Sequence, residues 1–386
     1  MTVPVWTEDL VVERVEGSKA LDRFIRLPFA LHAHDPHWRP PLLTERRAAL
    51  TPGRNPYFLH AEAAYWIVRR GSRDLGRISA QVDRLAPPSS DGGQAGHFGM
   101  LACEDDPEAI GALLRAAESW LAELGCDHVS GPFNLQINEE IGLLVEGYDT
   151  PPMLMMPHDL PHLGSALEAH AYTKDKDVYA YLLDTSAELP QAARRILTRG
   201  LPDGVTLRRG DLKNFRAEVE RLVNIFNDAW SANWGFTPLT PEELDHMAKQ
   251  LRPLIDERLI WFVEQQGRAV AFLVCLPNLN EAVRDLDGRL LPFGWVKLLW
   301  RLKMGRIRTA RVPLMGVRKS AAQGVVGALI PFAMVNAVRD SARAMGFRTV
   351  ELSWILEDNL PMRRMIEAMG ADRYKTYRIY GKALPA

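Results

Sequence analysis

Two short segments set carboxylates beside amides directly after apolar, strand-like runs. One is Gly131-Pro-Phe-Asn134-Leu-Gln-Ile-Asn138-Glu139-Glu140, and the other is Pro277-Asn278-Leu-Asn280-Glu281. Ligands bind at the C-terminal ends of strands in open α/β sheets, and a carboxylate placed there can take a proton from a bound group. Glu139 and Glu140 are adjacent and point in different directions, so one of them is expected to face a pocket. Asn134, Asn138 and Asn280 are candidate substrate contacts beside them. The competing role for all six is loop solvation and turn capping. A third cluster, Asn227-Asp228-Ala-Trp230-Ser-Ala-Asn233-Trp234, ends a helical stretch and offers either a pocket wall or core packing. A glycine turn, Arg318-Lys319-Ser-Ala-Ala-Gln323-Gly324-Val325-Val-Gly327, leads into a long helical run. From Gly288 to Arg339 there are ten basic residues and no acidic one, in a chain of net charge −1. Such a segment calls for a local anionic partner.

The histidines read differently. His32, His34 and His37 are broken by the turn at Asp35-Pro36, and His158 and His162 stand alone at i and i+4. No further Cys or His cluster supports either group, so no metal is expected.

These residues need elements to hold them. The 386 residues suggest two domains. With 47 Lys+Arg against 48 Asp+Glu, the chain is neither a basic nucleic-acid coat nor an acidic disordered one. Three scattered cysteines and no basic n-region before Glu8 and Asp9 fit a reducing cytoplasm without a secretory signal. Ser320 to Val338 is 19 residues without a charge, but its Gln, Gly, Pro and Asn make a buried core helix the better reading than a membrane span.

The same order of elements occurs twice. The second half predicts a strand at 205–209, helices near 213–231 and 241–251, strands at 259–263, 269–275 and 309–317, a helix at 325–345, a strand at 349–355, a helix at 360–369 and a closing β segment. The first half predicts strands near 9–14, 62–69, 75–83, 96–103, 127–132 and 176–183, with helices near 18–31, 41–50, 107–124 and 158–169. Leu124-Gly125 before Val129 parallels Met345-Gly346 before Val350. The boundary is expected near 187/188. Insertions fall at 134–157 in the first half and 277–308 in the second.

Two β-α-α-β-β-β-α-β-α-β units are the order of the GNAT (Gcn5-related N-acetyltransferase) fold, an α/β fold with mixed sheets. Across nearly its full length the chain resembles a bacterial family of tandem GNAT-like acyltransferases. The blocks that carry the resemblance are Asp35-Pro-His-Trp-Arg-Pro-Pro-Leu-Leu43, Gly131-Pro-Phe-Asn134 with Asn138-Glu139-Glu140, Asp149-Thr-Pro-Pro-Met153 with Met156-Pro-His158, Asn227-Asp-Ala-Trp230, Pro313-Leu-Met-Gly-Val-Arg318 and Trp354-Ile-Leu-Glu-Asp-Asn359. Some relatives are described as bacterial ceramide synthases, which join a long-chain acyl group from acyl-CoA to a sphingoid amine. The resemblance implies that activity, with acyl-CoA and a lipid amine as partners and no nucleic acid or metal. The alternatives are a non-catalytic acyl-CoA or membrane sensor and an aminoacyl-tRNA-dependent transferase.

In GNAT proteins, backbone N–H groups of a strand–loop–helix hold the cofactor pyrophosphate. The resemblance places that site at Val317, Arg318, Lys319, Gln323, Gly324, Val325 and Gly327, although Ala321 and Val326 depart from the family signature. In the first half, Glu104-Asp105-Asp106-Pro107 would repel a pyrophosphate, so the cofactor is expected in the second half only. Asn359 stands where the family has an Asn on the cofactor arm. The usual general-acid Tyr position is Ile366, which leaves Tyr374, Tyr377 or Tyr380 as substitutes. Acceptor contacts fall to Asp228, Trp230, Asn233 and Trp234, and proton removal to Glu139, Glu140 or Glu281.

Residues 289–308 alternate Trp, Phe and Leu with Lys and Arg, as in helices lying in a membrane interface. Trp295, Lys297, Trp300 and Arg301 are the expected contacts, and Leu291, Trp295, Leu298, Leu299 and Leu302 the apolar stripe. The expected location is cytoplasmic, peripheral at the inner face of an anionic membrane.

Overall fold

A computed structural model describes residues 9–88, 92–304 and 307–385. The chain forms two compact units: Met1–Asp177 with Tyr377–Ala386, and Val178–Thr376. The first holds β1 (Leu10–Arg14), α1 (Gly17–Leu31), α2 (Leu43–Ala49), β2 (Ala61–Arg70), β3 (Arg73–Asp83), β4 (Gln94–Cys103), α3 (Pro107–Glu123), β5 (Cys126–Gly131), β6 (Leu143–Glu146) and α4 (Leu163–Ala169). The chain leaves it through β7 (Thr173–Asp184). The second holds α5 (Gln191–Leu197), β8 (Val205–Arg209), α6 (Phe215–Trp230), α7 (Pro241–Leu251), β9 (Ile260–Gln265), β10 (Arg268–Pro277), α8 (Leu279–Val283), α9 (Gly294–Lys303), β11 (Thr309–Val317), α10 (Gly324–Ala344), β12 (Thr349–Leu356) and α11 (Leu360–Ala368). The last strand, β13 (Asp372–Ala383), starts there and ends in the first unit.

Each unit has the same pairing. In the first, β1-β2-β3-β4 are antiparallel neighbours and β4 runs parallel to β5. In the second, β8-β9-β10-β11 are antiparallel and β11 runs parallel to β12. The closing strands are exchanged. The second half of β7 pairs with β12, Val350 opposite Leu183, while the second half of β13 pairs with β5, Tyr380 opposite Gly131. The division therefore falls within β7 and β13, and the loop between β7 and α5 carries the position 187/188.

Period-two alternation explains the layers. On β2, Ala64, Trp66 and Val68 pack on one side with Leu113, Leu114 and Leu121 of α3, while Tyr65 and Ile67 pack on the other with Phe24 and Ile25 of α1. In the second unit Ala271, Leu273 and Cys275 of β10 join Ile330, Met334 and Val338 of α10. Each large apolar side chain buried in this way contributes roughly 1.5–3 kcal/mol. Helix α10 is long and apolar enough to cross a membrane, and half of its apolar window is buried inside the protein. Helix α7 starts as its sequence predicts, with Pro241 at the first turn and a reciprocal Thr240–Glu243 capping box.

Candidate active site

In the second unit β11 and β12 are hydrogen-bonded only from Thr309/Thr349 to Val312/Leu352. Beyond that point β11 keeps its partner β10 as far as Val317, but among the described residues its other edge has no strand beside it. The parted strands open a cleft of about 610 Å³, closed by the first turns of α10, the start of α11 and the end of α6. Backbone groups along such an edge are available to a ligand that can hydrogen-bond like a strand.

The cleft gathers Trp230, Asn233, Val317, Gly324, Gly327 and Asn359. The Trp230 indole N–H donates to the Met315 carbonyl at 3.1 Å and its ring meets Trp354 edge-on at 5.7 Å. Asn359 caps α11, its Oδ1 accepting the Met362 N–H. At the mouth of α10, Gln323 is the N-cap and makes no side-chain capping bond, and no acid lies in the first turn. Gly324 has φ +70°, a conformation that costs other residues. At Gly327 a Cβ would lie 2.2 Å from the Ala322 carbonyl carbon, so only glycine lets the loop pass this close to the helix. A helix N-terminus with unspent donors fits a pyrophosphate.

Arg318, Lys319, Gln323 and Val325 lie on the loop and first helical turn. Arg318 is engaged in holding that loop: its backbone N–H donates to Val270 O and its guanidinium to Ala269 O and Asn224 O. Asp228 needs correcting as an acceptor contact. Its carboxylate receives the Lys319 backbone N–H at 2.8 Å, so it fixes the loop. Ile366 is buried and lines the cleft.

Glu281 and Asn280 also need correcting. They lie at the other end of β11, where the Glu281 carboxylate accepts from Arg308 N, Thr309 N and Thr309 Oγ1 at 2.7–3.0 Å. Asn280 sits in the first turn of α8, its N–H bound to Asn278 Oδ1. Neither lines the cleft.

Sequence reasoning missed a buried network where the strands part. Arg311 donates to Ser353 Oγ at 2.8 Å, Ser353 donates to Glu351, and Tyr374 donates to Glu351 as well. Arg311 and Glu351 are adjacent in sheet register, and Ser353 reaches the cleft. The sequence sign was an Arg and a Glu inside two largely apolar strands.

In the first unit the equivalent opening is closed. After the parallel pairing of β4 and β5, Phe133 N–H donates to Phe98 O at 2.8 Å and Asn134 Oδ1 accepts Met100 N–H at 2.7 Å. Gln81 donates to Phe133 O. Helix α3 is capped by Asp106, whose carboxylate takes the Glu108 and Ala109 N–H groups. Glu140 is held by the Arg46 guanidinium and the Asn134 amide, both at 2.7 Å. Burial opposes its ionisation, but Arg46 and Asn134 outweigh that and keep its carboxyl below the usual range. Glu139 is half-buried beside it, its N–H on Gln136 O, and Asn138 contacts Gln136. Two of the blocks that carry the resemblance meet at His158, whose Nε2 is 2.8 Å from Asp35 Oδ2. Tyr377 is fully buried in this unit, against Gly142, and Tyr380 reaches Glu168 at 3.3 Å.

Helix α9 also differs from its expected stripe. Leu298 and Leu302 pack on the core, while Trp295, Val296, Leu299 and Trp300 are exposed, with Leu291, Phe293 and Met304 at its ends. Lys297 and Arg301 both pair with Asp285, which lies just before the acid-free segment. The three side chains together therefore keep a net charge of +1. Arg306 lies outside the described residues.

No protein-family model matches the chain. It is 51% identical over 376 residues to the bacterial ceramide synthase of Caulobacter vibrioides, covering 97% of this chain and 98% of that protein. It is 42% identical over 364 residues to protein YghO of Escherichia coli K12, covering 94% and 93%. Among solved structures, a tandem GNAT protein from the clavulanic acid biosynthesis pathway superposes with a TM-score of 0.56 at 14% identity, covering 98% of this chain and 99% of that one. That likeness is one of fold, and it matches the paired units described above. The chain belongs to the tandem-GNAT acyltransferase family that includes the bacterial ceramide synthase of Caulobacter.

Proposed function

We propose that this protein transfers a long-chain acyl group from acyl-CoA to the amine of a lipid-like acceptor, a sphingoid base. The observation that carries the proposal is full-length identity of 51% to a ceramide synthase, and the open cleft of the second unit supports it. The pyrophosphate would lie on the N-terminus of α10, with Gly324 and Gly327 letting the backbone approach. The donor arm would run along the free edge of β11 towards Asn359, with Trp230 and Asn233 beside the acceptor. The amine nitrogen attacks the thioester carbon, backbone N–H groups of β11 stabilise the oxyanion, and the C–S bond breaks to give an amide and the CoA thiolate, which takes its proton from solvent. The ammonium proton passes to solvent, because among the described residues no carboxylate lines the cleft and Glu139 and Glu140 belong to the first unit. No Tyr, His, Cys, Asp or Glu appears among the residues described as lining the cleft, so the thiolate leaves without a dedicated acid from its wall. The exposed apolar side chains of α9 support a peripheral position on a membrane, at the cytoplasmic face.

That same lack of an acid favours a second reading, a non-catalytic acyl-CoA sensor. Mass spectrometry of the purified protein with mixed acyl-CoAs and several long-chain amines separates the two. N-acylated long-chain base is expected. Acyl-CoA binding with no amide product would leave the sensor. Product from aminoacyl-tRNA alone would replace the donor.

A further inference from the structure

We propose that a cavity beside α9 binds the phosphate headgroup of an anionic membrane lipid. The proposal rests on α9 facing a bilayer, and it adds a specific ligand to that position.

The cavity is about 530 Å³ and its walls include Arg284, Arg301, Arg308, Glu281, Trp300 and Met304. Its three guanidiniums differ in what they already hold. Arg301 is spent on Asp285 and the Ala282 carbonyl. Among the described residues the Arg308 side chain hydrogen-bonds the Gly346 carbonyl alone, at 3.2 Å. Arg284 is exposed and has no ion pair or hydrogen bond among the described residues. Two cations in one concavity thus lack a carboxylate. Guanidinium forks match phosphate oxygens in charge and geometry.

Glu281 is the one acid in the wall among the described residues. Three donors from Arg308 and Thr309 occupy its oxygens, so it is turned to the backbone of β11. Its charge still favours a singly over a multiply charged anion.

The rim decides between a lipid and a free anion. Trp300 is 43% exposed and Met304 62%, and both continue into Leu299 and Trp295 along α9. A patch of this kind on a soluble surface marks an interaction site. An inorganic anion gains nothing from it. A phospholipid places its phosphate between Arg284 and Arg308 and its chains against the apolar side chains.

The test uses the full chain and flotation with vesicles of phosphatidylcholine alone or mixed with phosphatidylglycerol. Wild type should prefer the mixed vesicles. Each basic residue near an anionic surface is worth about 1 kcal/mol, so Arg284→Ala with Arg308→Ala should lower affinity for mixed vesicles roughly thirty-fold. Affinity for phosphatidylcholine should not change. Arg284→Lys with Arg308→Lys keeps the charge and loses the forks, and should fall between. Trp295→Ala with Leu299→Ala should weaken both vesicle types. An unchanged preference in the double Ala variant, with its thermal melt intact, overturns the headgroup site while leaving α9 on the membrane. Failure of wild type to bind either vesicle overturns both. Competition by inorganic phosphate that abolishes the preference at constant ionic strength would overturn the lipid as ligand.

Discussion

The two places where parallel strands run side by side, β4/β5 and β11/β12, share one element order and differ in what fills them. At β11/β12 pairing stops after Val312 and no described residue replaces it, so a cleft of about 610 Å³ remains. At β4/β5 the following segment returns as its own ligand: Phe133 and Asn134 bond to Phe98 and Met100, and Glu140 folds back on Asn134 and Arg46. The helices follow suit. Asp106 spends its carboxylate on the donors at the head of α3, whereas Gln323 leaves those of α10 available. Of two units with one element order, one therefore has its strand opening empty and the other has it filled by its own chain. The difference lies in a few side chains rather than in topology.

The largest way to disturb this contrast is to remove the ion pair of the closed opening. Glu140→Ala strands Arg46, whose side chain is 14% exposed, beside Arg77. Breaking such a pair costs about 3 kcal/mol when it is well buried, so denaturant unfolding at neutral pH should show a loss of about 2–3 kcal/mol. Glu140→Gln should lose less, because it keeps a hydrogen-bond acceptor. The pH sign follows from the lowered carboxyl pKa. Its stabilisation is present above the unfolded value of 4.5 and disappears as pH falls through the folded value. The gap between wild type and Glu140→Gln should accordingly close in acid. A gap that is flat with pH would mean that the carboxylate charge is not what holds the segment.

Next comes the open end. Gly327→Val places a branched side chain where even a Cβ is 2.2 Å from the Ala322 carbonyl carbon. Overpacking of this kind costs about 1–3 kcal/mol. The loop must move from the helix, and acyl-CoA affinity by calorimetry should drop about thirty-fold, taking about 2 kcal/mol of that range. Wild-type affinity in a folded variant would put the donor elsewhere.

Much of this contrast was legible beforehand, and the reason is locality. Strands such as 205–209 and 309–317 and the helix at 241–251 end where the sequence predicts, because alternation, Pro241 and the Thr240 cap act within a few residues. In sequence the acids before Pro107 read only as a charge that repels a pyrophosphate, and the structure adds that Asp106 caps α3. What escaped were long-range pairings. Arg46 meets Glu140 across 94 residues and Glu281 meets Arg308 across 27, and nothing local marks either. Asp285 lies three residues before the acid-free segment, and pairs with two of its cations. The exchange of β7 and β13 was equally silent, since a strand's own pattern does not name its neighbour. Which face of α9 is exposed depends on what packs beneath Leu298 and Leu302.

The smallest change is the most direct, because it asks whether one residue type carries the difference between the two helix heads. Gln323→Asp gives α10 the acid that Asp106 gives α3. Its carboxylate should accept an N–H of the first turn and raise stability by about 0.5–1 kcal/mol, as good N-caps do. It also sets a negative charge where a pyrophosphate would rest, opposing the helix dipole by roughly 0.3–1 kcal/mol. Acyl-CoA affinity should fall about two- to fivefold, with a steeper loss at low salt. Gln323→Asn is the control, since it caps without charge and should keep affinity while sharing part of the stability gain. Stability rising with no change in affinity at any salt concentration would separate the helix head from the donor site. The two openings would then differ only in the fill at Phe133 and Asn134.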